Sequence, residues 1–197
     1  MCLGCPIRAA SHPDNGRNAL RQGAWAGYVA FAWVVVFFAF HIYWYLGGQF
    51  GFGDQTDPLP DWSWSAPALV SSFVTTLAFP LGGLAALAAV QPWGRGIPRS
   101  PLLAVLWLGC FVLLLRGGAS MVDEVARVTG VLPDGLFGLS YEDVLNNGEP
   151  SGYTLWSARA IDAYFILGGL LFGAVAAYFR RKSRLSISPK GHRPHPR

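Results

Sequence analysis

Residues 24–46 read AWAGYVAFAWVVVFFAFHIYWYL, and how this stretch is read decides the fold. It holds no Asp, Glu, Lys or Arg, and His41 is its only imidazole. A bilayer core is crossed by about 20 mostly apolar residues in helical form, so this segment is long enough to span one. Lipid offers no water to a polar ring. An intramembrane histidine therefore faces protein or a wet cavity, and His41 marks where a site is expected.

Three further stretches have the same character: residues 66–90, 101–120 and 160–179. The composition agrees, with 52% hydrophobic and only 13% charged residues, a balance that favours the membrane class over a soluble domain. The first stretch is too long for a cleaved signal peptide, and no small-residue cleavage site follows it. The expected fold is all-α: a four-transmembrane-helix bundle over residues 23–182, between a disordered tail at 1–22 and a basic tail at 183–197.

Charge placement orients the bundle. Arg8, Arg17 and Arg21 precede the first stretch, and Arg95 and Arg99 lie between the second and third. A run beginning Arg180, Arg181, Lys182 and Arg184 follows the fourth. The other connections carry Asp54, Asp57, Asp61, Asp123, Glu124, Asp134, Glu142, Asp143 and Glu149, with only Arg127 and Arg159 as bases. The positive-inside rule then puts both termini in the cytoplasm, with loops 47–65 and 121–159 outward, and the plasma membrane is the expected location. The net charge of +4 is explained by orientation, so nucleic acid is not an expected partner. The bilayer is, and the basic tail can touch anionic headgroups.

Cys2 and Cys5 form a C-x-x-C without a second pair or a βαβ context, which reads as reduced thiols on a tail; Cys110 reads as packing. His192 and His195 read as part of a solvated tail. Ser140 with Asp143 gives an N-cap signal for a short outer cap helix to about Asn146. Trp62 and Trp64 suit an interfacial belt, and Pro80 a kink in the second helix. Gly169 and Gly173 are a small-xxx-small pair, a surface for a close helix–helix partner. No nucleotide-binding loop, zinc-binding pattern or serine-hydrolase elbow is present, and no cofactor or metal is expected.

The chemistry-bearing groups gather at the outward end. Trp44 and Tyr45 follow His41 at i+3 and i+4, on one helical face. Arg116 ends an apolar run, with Ser120, Asp123 and Arg127 continuing its face. Arg159 and Asp162 stand three apart in the fourth helix. His41 and Asp162 are the candidates for proton transfer, with Trp44, Tyr45, Arg116, Asp123 and Arg159 as ligand contacts. Plainer readings stand beside these: a hydrogen bond across helices for His41, snorkelling for Arg116, and an i,i+3 surface pair for Arg159 with Asp162.

The stretch His41-Ile42-Tyr43-Trp44-Tyr45-Leu46-Gly47-Gly48 resembles the H-x-Y-W-x-L-G-G stretch of an actinobacterial membrane-protein family, domain of unknown function 3995. The likeness covers most of the chain, from the first span through the fourth. It implies a small multi-span fold and no established activity. The leading expectation is an outward-facing His/Arg/Asp pocket for a small or lipid-like ligand. A membrane-embedded enzyme doing acid–base chemistry on an apolar substrate, of isomerase or cyclase type, is the alternative. A structural subunit of a membrane complex is the third.

Overall fold

The computed structural model describes residues 13–54, 66–136, 138 and 150–187. Among these, four α-helices follow in order: α1 Pro13–Tyr45, α2 Ala66–Val90, α3 Arg99–Val128 and α4 Gly152–Ile187, with a 3-10 turn, Pro92–Gly96, between α2 and α3. Among the described residues there is no strand. Among the described residues three helical segments are long and apolar enough to cross a membrane: Gly23–Tyr45, Arg99–Val128 and Gly152–Arg184. The second helix has the bounds expected from its sequence, and Pro80 lies inside it.

The other helices outrun their apolar stretches. Residues 13–22 are helical where a disordered tail was expected, because Pro13 suits a first helical position and Asp14, Ala19, Leu20 and Arg21 all tolerate a helix. Likewise α4 carries through the basic run to Ile187. Hydropathy measures how much of a helix lipid can accept; it does not mark where the helix stops. Cys2, Cys5, His192, His195, Trp62, Trp64 and the Ser140–Asn146 cap lie outside the described residues.

The helices end where the backbone requires it. Beyond α1, Gly47 takes φ 89° while the Leu46 amide bonds the Ile42 carbonyl, a left-handed stop that glycine accepts freely. At the far end of α3, Thr129 Oγ1 donates to the Val125 carbonyl at 2.7 Å. Ser151 caps α4, its hydroxyl accepting the Thr154 amide at 3.1 Å.

Helix α4 packs against each of the other three, with its longest seam on α3; α1 also packs on α2. The core lies along these seams: Trp33 and Val34 of α1, Ala86 of α2, Leu106 of α3, Phe172 and Val175 of α4. Small residues let the α3–α4 backbones approach. A Cβ on Gly169 would stand 2.6 Å from Leu114 Cγ, and one on Gly173 would stand 3.1 Å from the sulfur of buried Cys110. The small-xxx-small pair thus faces the chain's own α3.

Candidate functional site

The His41–Gly48 stretch builds a helix end and a loop. Gly48 sits over the Tyr43 ring, where an added Cβ would be 2.2 Å from the ring edge, and its amide bonds the Tyr43 carbonyl at 3.0 Å. Trp44 Nε1 donates to the Phe50 carbonyl at 3.0 Å, and the Phe50 amide donates to the Tyr43 hydroxyl at 3.4 Å. The chain therefore doubles back over the tip of α1. Its far side is pinned to α4. The Gly51 amide donates to the Tyr153 hydroxyl at 2.9 Å. The hydroxyls of Ser151 and Thr154 donate to Asp54 Oδ1 at 2.5 and 2.7 Å. Gly53, at φ 113°, lies against Thr154.

These bonds favour the ionised form of Asp54. The Ser151 hydroxyl first, then that of Thr154, holds its carboxyl below the usual carboxylate range. For a carboxylate with a lowered pKa, the linked stability is present above the unpaired value and lost as pH falls through the lowered one. The latch is therefore complete above about pH 4 and opens at lower pH. Carboxyl-carbon NMR should put the Asp54 midpoint below about 3.9, the free value. Ser151→Ala should move it upward. A wild-type midpoint at or above the free value contradicts the latch.

Loop, α1 and α4 together enclose a groove of about 180 Å³. Phe37, Phe40 and Trp44 of α1, Phe50 of the loop, and Ile161 and Tyr164 of α4 form most of its wall. The polar atoms of its aromatics are engaged elsewhere. Trp44 bonds the loop, and the Tyr164 hydroxyl donates to the Trp33 carbonyl at 2.6 Å. The groove consequently presents carbon.

His41 does not line this groove. Its ring meets Phe37 at 5.2 Å, Tyr45 at 5.2 Å, Trp44 at 6.1 Å and Phe79 of α2 at 6.4 Å. Among the described residues its buried Nδ1 has no hydrogen-bond partner.

A polar seam joins α3 to α4. Asp162 is only 6% exposed, and Arg116 Nη1 reaches its Oδ1 at 3.1 Å. The same nitrogen bonds Ser120, and the guanidinium lies 5.4 Å from the Phe165 centroid. Gly117 makes room for this pair, since a Cβ there would be 2.6 Å from the Asp162 carbonyl oxygen. One turn further out, Arg159 Nε pairs with Glu124 Oε1 at 2.6 Å. Arg127 Nε pairs with Asp123 Oδ2 at 2.8 Å. Asp123 Oδ1 also accepts the Leu136 amide, which ties the following loop to α3.

The expected residues thus fall into separate places. Arg116 and Asp162 meet, and Trp44 lines the groove. Arg159 takes Glu124 of the facing helix instead of Asp162, since i,i+3 neighbours on one helix compete with groups across the seam. His41 and Asp162 share no hydrogen bond. The contacts leading from one to the other run through Phe37, Phe165 and Arg116. Sequence reasoning did not single out Asp54, Tyr153 or Thr154 as a latch, nor Tyr164 as a groove wall. An acidic residue beside glycines is a weak signal when its partners lie 97 and 100 residues away.

The family model described as protein of unknown function (DUF3995) matches residues 34–172. No curated protein and no solved structure matches the chain.

Proposed function

The chain belongs to the DUF3995 family of unknown function, and on that premise we propose a four-span plasma-membrane protein that binds a small or lipid-like apolar ligand in the α1–α4 groove. Both termini face the cytoplasm in this reading, and the ligand enters at the outward end. The positive-inside pattern supports the orientation. The single observation that carries the ligand reading is the carbon-lined groove, closed on one side by a loop latched through Asp54. Its size suits a short hydrocarbon stretch or one small ring, since an apolar cavity of about 150 Å³ holds benzene. Among the described residues neither His41 nor any charged group lines this groove, so recognition rests on shape and apolar contact in place of the expected His/Arg/Asp lining. Proton-transfer chemistry would call for His41 and Asp162 to work within reach of each other, and no observation favours that reading.

Photolabelling tests it. An alkyl diazirine probe, added to the detergent-solubilised protein, should label peptides covering residues 36–44 and 160–164. Ala160→Phe places a ring at the groove wall and should cut that labelling about tenfold, equivalent to about 1.4 kcal/mol. Ala160→Ser should leave it intact. Labelling spread evenly over the lipid-facing helix surfaces, or unchanged in Ala160→Phe, sinks the reading.

A further inference from the structure

A second cavity, of about 320 Å³, lies at the opposite end of the bundle, where α2 ends, α3 begins and α4 passes. Arg95, Arg99 and Lys182 line it, together with Gln91, Ser183 and Phe179. Among the described residues no carboxylate stands in its wall. The sequence makes this an end nearly without acids: none occurs between Asp61 and Asp123, and none after Asp162.

The cavity is shaped by the backbone. Gly94 of the 3-10 turn is buried, and a Cβ there would fall 1.8 Å from the Ala88 carbonyl oxygen. Only glycine lets the turn fold this closely onto the end of α2, and that fold sets Arg95 in the cavity wall. Lys182 Nζ reaches the Ala89 carbonyl at 3.5 Å, where it offsets the negative end of α2. The first turn of α3 opens at Pro98 with no side-chain cap, so its positive end is not offset there. Trp93 and Ile97, beside the cavity, are exposed.

The geometry points to a phosphate-binding site in which Arg95, Arg99 and Lys182 converge on one anionic group between α2, α3 and α4. Arginine forks match phosphate oxygens, and lysine adds a point charge. The exposed Trp93 and Ile97 suit an interface where the phosphate belongs to a lipid headgroup, as basic pockets between membrane helices do. Free phosphate shares this chemistry, and the experiment separates the two sources.

Native mass spectrometry of the full chain in neutral detergent would measure binding of phosphatidylglycerol, phosphatidylcholine and inorganic phosphate. Arg95→Gln/Arg99→Gln is expected to weaken phosphatidylglycerol binding about tenfold or more. Arg180→Gln/Arg181→Gln removes the same charge from outside the cavity and should change it less than about threefold. Lys182→Gln should weaken it as well; the arginine pair keeps the test valid if losing the Ala89 contact harms folding. Inorganic phosphate binding with the same variant dependence, without lipid binding, keeps the site and assigns it a soluble anion. Equal losses in the two double variants, or no binding of either probe, overturn it.

Discussion

Trp33→Ala is expected to destabilise the bundle by about 3 kcal/mol, the low end for losing a buried aromatic. The indole is 5% exposed and stacks on Tyr164 at 4.8 Å and on Phe37 at 5.9 Å. Its Nε1 donates to the Tyr164 carbonyl at 3.1 Å. Gly168 is shaped around it, since a Cβ there would stand 2.3 Å from the ring. No neighbour can refill that space without a backbone shift, so the cavity term persists. Trp33→Phe keeps most of the stacking and loses one hydrogen bond, about 1 kcal/mol. Thermal unfolding in matched detergent should rank wild type above Trp33→Phe and Trp33→Ala lowest. A Trp33→Ala protein as stable as wild type would falsify the α1–α4 core.

Arg116→Ala should cost about 2–3 kcal/mol, and the Arg116→Ala/Asp162→Asn double variant should recover most of it. The pair is unequal. Asp162 is buried, while the Arg116 side chain is 54% exposed. Losing the arginine strands a carboxylate away from water. Losing the carboxylate leaves a cation that can reach solvent on its long stem. Asp162→Asn alone should therefore cost less than Arg116→Ala. The reverse order, measured by the same unfolding assay, would show that water reaches Asp162. Exposure of the guanidinium keeps the expected loss below the range of fully buried pairs.

Much of this arrangement was legible in the residues. The extents of α2 and the apolar part of α1 follow from the lengths of their uninterrupted apolar runs. Arg116 was legible as a cation inside a helix that needs an acidic partner, with Asp162 and Asp123 both open as that partner; the packed seam selects Asp162. What escaped was rotation. Spacing puts His41, Trp44 and Tyr45 on one face, but it does not say that Trp44 borders α4 while His41 meets Phe79 of α2. That choice is made by side-chain volumes on helices far away in sequence. The Asp54 latch escaped for a similar reason, because hydroxyls at a helix start look alike whether they only cap or also hold a distant loop. Arg159 had two acidic neighbours, and only the packed seam selects Glu124.

The place of α4 in the architecture has a consequence for biogenesis. This helix is the common partner of α1, α2 and α3, yet it is synthesised after them. The carbonyl that accepts the Trp33 indole proton lies 131 residues downstream. Until it emerges from the ribosome, Trp33 has only its α1 and α2 neighbours Phe37 and Phe79, and Arg116 lacks Asp162. A nascent chain bearing only α1, α2 and α3 is a hairpin with a loosely held third rod. A chain stalled before residue 152 therefore keeps the α1–α2 pair but leaves every seam with α4 unformed, a window of vulnerability to quality-control proteases that closes when translation delivers the last helix.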